Sequence, residues 1–444
     1  MVISQKNDVV QAIQQFIVGV LTYISIFAGS LFLSREMGPT VFGNYNIAIA
    51  VLSIFTTILL LGTDSAATRF ITPLYEEHNK LKVVQYVSWN MHLIKRSFQI
   101  CLSICALLFF IGCILHVANY VDFSNYQLAF YTVFLTPVMA LSTLISSYMI
   151  AFKRVLLGTI YSTMMIHVLI LVNFVGAVYL FDINITINSN IFIILALSVF
   201  SLFLLETYRA RRRITSLIHA LRRGVDAFSG ENAQIWSSTS FHLIGAQIIY
   251  IVLRYMDLFI VKIFSSESSE AGIYSAIMVI THLIYFVPIA ITFLVKPAIS
   301  SFYDKPEHYS KLQETIDATN TVIFICCPIL LFIICFWSTE ILAFFGPEYV
   351  AANNALIIFS LGCAFVGLTR VPQTILLFSG KETVIFYTAI VNILILLIIG
   401  IPATYFFNLD GMATVVACSF LVQGTIYVIL AKHYLPGIKP VSIF

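Results

Sequence analysis

Five polar residues recur at helical spacing within one apolar stretch of this chain: Ser240, Gln247, Tyr250, Arg254 and Asp257. On a helix they occupy an arc of about 100°. An ionisable group at such a place costs at least about 2.5 kcal/mol on insertion scales, so it must meet a cavity or a partner. Arg254 suits an anion, because a guanidinium stays charged and donates to phosphate or carboxylate through two prongs. Asp257 suits a coupling ion. The other reading, which the sequence leaves open, is that these two residues, three apart, neutralise each other on one helix face.

Further candidates are scattered along the chain. Arg370 and Gln373 share a later apolar stretch, where the arginine either lines a cavity or snorkels towards the inner membrane face. Asp64 and Arg69 flank the end of an early stretch and serve as loop anchors or as part of an inner mouth, which Lys296 would frame from the other side. His167 and His282 lie well inside apolar runs, where a histidine shuttles protons or bridges helices by a hydrogen bond. Gln11, Gln15, Thr22, Ser25 and Gly29 form one face of the first run, a pattern that serves helix packing as well as a cavity wall. The expected binding set is therefore Arg254, Arg370, Arg69, Gln247, Tyr250 and Gln15. The expected ion-coupling set is Asp257, Asp64, His167 and His282.

What must position these residues follows from composition. Of 444 residues, 60% are hydrophobic and 10% charged, against about 25% charged in soluble domains; most of the surface must therefore meet lipid. The eight cysteines sit in apolar runs, form no Cys-x-x-Cys pair and read as small buried hydrophobes. No metal, cofactor or nucleic-acid partner is expected. A helix needs about 20 apolar residues to cross the hydrocarbon. Such runs cover Val10–Leu33, Val41–Leu61, Phe98–Val117, Tyr126–Ala151, Leu156–Leu180 and Ile191–Tyr208. After a polar gap come Trp236–Ile263, Ile273–Val295, Thr319–Trp337, Asn353–Phe378, Val384–Phe407 and Met412–Ala431. Their length and continuity predict helices rather than barrel strands, and the first lacks a small-residue cleavage site, which predicts a retained helix.

With an inner amino terminus, nearly all of the 24 basic residues fall in inner loops. Only Arg35 and Lys262 face the other side, and Arg254 and Arg370 lie within spans. This distribution predicts an even number of spans and two cytoplasmic termini. The halves also resemble each other. Gly43-Asn44-Tyr45 is matched by Gly272-Ile273-Tyr274 after 229 positions, and Ile71 and Tyr75 by Ile299 and Tyr303 after 228. Phe152, Tyr161, Tyr179 and Phe181 are matched by Phe378, Tyr387, Tyr405 and Phe407 after 226. The expectation is an all-α membrane protein of about 12 transmembrane helices in two pseudo-symmetric six-helix bundles, residues 1–208 and 235–444, joined by a basic cytoplasmic linker over 209–234. Such repeats related by an axis along the membrane normal are typical of secondary transporters. A catalytic domain finds no loop long enough to hold it, and no phosphate-binding P-loop is present.

Four stretches resemble the polysaccharide transporter, or O-antigen flippase, family of the multidrug/oligosaccharidyl-lipid/polysaccharide (MOP) exporter superfamily. They are Ser34-Arg35-Glu36-Met37-Gly38-Pro39-Thr40-Val41-Phe42-Gly43-Asn44-Tyr45; Leu61-Gly62-Thr63-Asp64 leading to Arg69-Phe70-Ile71; Asp257-Leu258-Phe259-Ile260 with Ala271-Gly272-Ile273-Tyr274-Ser275-Ala276; and Phe345-Gly346-Pro347-Glu348-Tyr349-Val350-Ala351-Ala352. Two departures are visible: Ser265-Ser266-Glu267-Ser268 replaces a Leu-Gly-Pro, and Leu258 stands where a basic residue is usual. The resemblance implies a MATE-like fold and a flippase that moves a polyprenyl-diphosphate-linked glycan across a bacterial or archaeal cytoplasmic membrane. It further implies a cavity lined by the first, second, seventh and eighth helices, membrane lipids as partners, a coupling proton or sodium ion, and association with polysaccharide polymerase machinery. The alternative is a multidrug or small-cation antiporter of the same superfamily, which calls for acidic cavity residues. The spans hold Arg254 and Arg370 against Asp257 and Glu206, a balance that favours an anionic substrate. A membrane-embedded polymerase or ligase would call for a large outer loop that this chain lacks.

Overall fold

The structure, a computed structural model, describes residues 2–117, 126–221, 230–302 and 306–442. Arg222 and Arg223 of the expected linker and residues 118–125 of an expected outer loop lie outside these, as do the side chains of Gln11, Cys105, Cys113, Arg212 and Arg213.

Among the described residues all regular structure is helical. The first half holds α1 (Val2–Leu60), α2 (Thr63–Glu76), α3 (Lys80–Val117), α4 (Gln127–Val133), α5 (Thr136–Ala151), α6 (Val155–Thr159), α7 (Ile166–Tyr179) and α8 (Asn188–Leu221). The second holds α9 (Gly230–Phe264), α10 (Glu270–Phe302), α11 (Tyr309–Phe336), α12 (Ser338–Phe345), α13 (Asn353–Leu368), α14 (Arg370–Phe378), α15 (Glu382–Ile395) and α16 (Ile401–Tyr434). Each of the twelve apolar runs falls on this helical framework. Among the described residues eight helical stretches are long and apolar enough to cross a membrane, and a ninth forms if α4 and α5, bent by 52°, count as one. Two of the eight, of 48 and 53 residues, are about twice the length a span needs. Each of these is broken by a kink at one non-helical residue, α1 at Gly38 (φ 70°) and α16 at Asn408 (φ 50°). The chain is a multi-pass membrane protein.

Two breaks of another kind lie inside spans. Residues Ile160–Met165, between α6 and α7, and Leu396–Gly400, between α15 and α16, are wound as π-helix, the widened turn found at irregular points of long helices.

The helices form two compact units. One comprises residues 17–29 and 44–252; the other comprises 1–16, 30–43 and 253–444. The first is held by an aromatic cluster in which Tyr86 and Trp89 of α3 meet Trp236 of α9 at ring separations of 5.2 and 5.6 Å. Rings in such tilted contacts add about 0.5–1.5 kcal/mol per pair beyond their burial. In the same unit, Thr72 donates to the Ala151 carbonyl at 3.1 Å, tying α2 to α5.

In the second unit three of the four family-like stretches meet. Ser34 donates to the Phe345 carbonyl at 3.2 Å and Arg35 to that of Phe344. Gly43 lies against Gly272: a Cβ on Gly272 would stand 1.9 Å from the Pro39 carbonyl oxygen, and one on Gly43 would stand 2.7 Å from the Gly272 nitrogen. These are the repeat-related glycines, so the match in sequence corresponds to a backbone contact that only two residues without side chains allow. The stretches that carry the resemblance thus serve packing at this point.

Repeat partners also share their surroundings. Tyr45 presents its ring edge-on to Phe174 at 5.9 Å, and Tyr274 does so to Phe359 at 5.8 Å. Tyr179 and Tyr405, and likewise Phe181 and Phe407, are exposed at helix ends, where aromatic side chains settle at the membrane–water boundary. Tyr161 and Tyr387 differ, the first being buried and the second exposed.

Candidate functional site

The second unit holds three of the six expected binding residues, Arg254 on α9, Gln15 on α1 and Arg370 on α14. On α9, Arg254 is exposed, and its guanidinium carbon lies 5.6 Å from the ring centre of Tyr255. One turn on, Asp257 is buried. The ion pair between them does not form. Asp257 instead accepts the Leu258 N–H at 2.8 Å and the Tyr274 hydroxyl of α10 at 2.9 Å. Both carboxylate oxygens are therefore engaged by neutral donors, and the cation next to it is left without a carboxylate.

The sequence runs on from Arg254 into α10. His282 lies close enough to Arg254 to feel its charge, and its ring meets that of Tyr285 edge-on at 6.3 Å. One turn further along α10, Phe286 pairs with Phe16 of α1 at 6.4 Å. Gln15, half-buried, is the residue before Phe16. From Tyr285 the line reaches α14: Arg370 donates from Nη1 to the Tyr285 hydroxyl at 3.0 Å and to Gln373. The break between α13 and α14 at Thr369 puts Arg370 at the head of a new helix rather than in the middle of an old one. On α16, Tyr427 receives bonds from Thr388 of α15 and Gln423 of α16, both at 3.1 Å. His282 and Arg370, separate in the sequence, thus both meet Tyr285. Among the described residues neither guanidinium has a carboxylate within ion-pairing distance.

The first unit uses its polar residues differently. Gln247 of α9 donates from its amide nitrogen to both oxygens of Asp64, at 3.2 and 3.1 Å, and to Ser65 at 2.8 Å. This joins two expected residues that are 183 positions apart and pins the start of α2 to α9. Tyr250 and Arg69 are exposed, and His167 is half-buried on α7. The five-residue arc on α9 therefore does not share one environment: Ser240 and Asp257 are buried, Gln247 is half-buried, and Tyr250 and Arg254 are exposed.

Sequence reasoning gave little weight to Glu206 of α8, which proves to be fully buried. Its carboxylate accepts from Ser146 at 2.7 Å and from Ser142, two hydroxyls one turn apart on α5. The signal available was the i, i+4 serine pair facing the one acid of its span. Nothing in the local sequence said that the two helices touch at that level.

No protein-family model and no curated protein matches the sequence. Solved structures do match it, over nearly the whole chain. The lipid II flippase MurJ in an inward closed conformation matches with a TM-score of 0.68 at 15% identity, covering 96% of this chain and 87% of that one. An inward-facing multidrug resistance MATE transporter of the MOP superfamily matches with 0.67 at 12%, covering 97% and 99%. A MOP superfamily transporter from Pyrococcus furiosus, described as having a binding pocket of reverse polarity, matches with 0.62 at 10%, covering 96% and 94%. The chain has the fold of the MOP superfamily transporters. Within that fold the likeness extends both to a lipid flippase and to multidrug transporters.

Proposed function

We propose that this protein is a secondary transporter that flips a polyprenyl-diphosphate-linked glycan across the cytoplasmic membrane by alternating access, with both termini on the cytoplasmic side. The observation that carries the proposal is the second unit's pair of arginines, Arg254 and Arg370, which meet no carboxylate while the acid beside them is bonded elsewhere. Cations kept without counter-ions in apolar segments are retained for a ligand or pathway. A diphosphate is the anionic part of such a lipid, and a guanidinium fork matches its oxygens. Arg254, exposed on α9 next to exposed Tyr250, is the residue we assign to first contact with the head group. Arg69, Gln247 and Gln15 contribute polar contacts to the glycan, and the polyprenyl tail stays in lipid. Asp257 is the leading coupling group for a proton or sodium ion, with Asp64, His167 and His282 as further candidates. A polysaccharide polymerase is the expected partner downstream.

The experiment replaces Arg254 by alanine in a strain whose surface glycan depends on this protein. The expected outcome is loss of surface glycan with normal insertion and abundance. Normal export would remove Arg254 from the mechanism. A second reading, a multidrug or cation antiporter, is favoured by buried Asp257 and by the likeness to MATE transporters. It predicts that drug resistance falls in Asp257→Asn and that glycan export does not depend on the protein.

A further inference from the structure

Arg370 is only half committed. Its Nη1 serves both the Tyr285 hydroxyl and Gln373, and its guanidinium carbon lies 5.6 Å from the Tyr285 ring centre. The Nε atom is shielded from solvent and has no hydrogen-bond partner, and no bond is made by Nη2. Nε and Nη2 together form one of the two-pronged edges with which a guanidinium grips an oxyanion. Neutral anchors therefore hold one corner of the fork and leave a complete edge free. The two anchors come from different helices, Gln373 one turn on from Arg370 in α14 and Tyr285 in α10. A donor edge held in this way is organised before the ligand arrives, which lowers the entropy lost on binding.

A second positive charge is near. Lys296 of α10 stands over the ring of Phe378 at 5.9 Å, and Phe378 ends the α14 helix that Arg370 opens. Two like charges in an apolar setting destabilise each other, and an anion bound between them relieves both. No carboxylate among the described residues lies within ion-pairing distance of Arg370. A buried N–H without a partner is uncommon in native structures and calls for an explanation. An oxyanion ligand supplies one.

We propose that the Nε–Nη2 edge of Arg370, with Lys296 as the second cation, is a binding subsite for a phosphate-class oxyanion, distinct from the contact assigned to Arg254. The chemistry is shared by the diphosphate of a lipid-linked substrate and by free phosphates. Only the assignment to a lipid-linked source rests on the transport reading above. If both hold, the head group has two successive stations on the second unit, Arg254 first and Arg370 after it.

The test uses the full-length protein purified in detergent, with inorganic pyrophosphate as the probe at constant ionic strength. Modification of Arg370 by phenylglyoxal, followed by mass spectrometry, should be slowed at least fivefold by pyrophosphate in the unmutated protein. Calorimetric affinity for pyrophosphate should fall at least tenfold in Arg370→Gln, which retains a hydrogen-bonding group for Tyr285. It should fall less in Lys296→Gln. Arg370→Lys, which keeps the charge but not the fork, should not restore it, whereas Arg254→Gln should leave the protection of Arg370 in place. Geranyl diphosphate protecting at lower concentration than pyrophosphate points to a lipid-linked source; the reverse order points to a free oxyanion. Unchanged modification of Arg370 at saturating pyrophosphate and geranyl diphosphate overturns the subsite, even if glycan export still requires Arg254. Loss of the glycan-transport reading with the protection intact leaves the subsite standing.

Discussion

The two units treat their charged residues differently, although the halves of the sequence carry matched residues at offsets of 226–229. In the first, the buried or half-buried acids are satisfied by neutral donors: Glu206 by two serines, Asp64 by Gln247 and Ser65. In the second, Asp257 is satisfied in the same way, by Tyr274 and a backbone N–H, yet among the described residues Arg254, one turn away, and Arg370 of α14 have no carboxylate within ion-pairing distance. At the repeat offset of 229, Arg254 is matched by Ser25, whose hydroxyl simply returns to the Leu21 carbonyl. At the offset of 226, Glu206 is matched by Lys432. The repeat preserves glycine contacts and edge-on tyrosines, which are matters of shape. Charge is what separates the matched positions, and under the proposed function charge is what the substrate reads.

The largest expected effect is on the charged side of this comparison. Arg254→Ala should reduce glycan export at least tenfold, whereas Ser25→Ala, its counterpart in the other repeat, should leave export within twofold; quantifying surface glycan measures both. Equal losses would erase the distinction drawn between the repeats. Next comes the shape that both copies share. Gly272→Leu forces atoms into the Pro39 carbonyl, and overpacking of this kind destabilises by about 3 kcal/mol. Thermal unfolding in detergent should show a clear fall in Tm.

Smaller effects probe the acids. Glu206→Ala leaves Ser142 and Ser146 without their acceptor and should destabilise by about 2 kcal/mol, with Glu206→Gln costing less because the amide oxygen still accepts. Denaturation of both variants tests the order. Gln247→Ala removes the donor to Asp64 and should cost about 1 kcal/mol, the smallest of the set, read as increased proteolysis near the start of α2. An effect of Gln247→Ala larger than that of Glu206→Ala would reverse the ranking of the two clasps.

The spans were legible because hydropathy acts over 20 residues at a time, and every apolar run falls on helix. The turn at Gly38-Pro39 was legible too, since a glycine followed by proline breaks a long helix. Partnerships were not. The spacing of Arg254 and Asp257 left open an ion pair within one helix; Tyr274, on the next helix, bonds the acid instead. Gln247 and Asp64 were both picked out, yet a distance of 183 positions hides their contact. The π-wound segments left no mark, because their extra residue shows only in the backbone. Glu206 was undervalued because one acid near a basic helix end looks like any solvated charge until the facing serines are known.

The account rests on the second unit's arginines recognising an anionic lipid. The most direct measurement reconstitutes the protein in vesicles with a fluorescent lipid-linked glycan diphosphate and follows its appearance in the outer leaflet, with and without a proton gradient. The account predicts flipping by the unmutated protein that is accelerated by the gradient and at least tenfold slower in Arg254→Ala. Flipping at the same rate in both proteins would contradict it, as would vesicles that exchange a cationic drug for protons but leave the lipid in place.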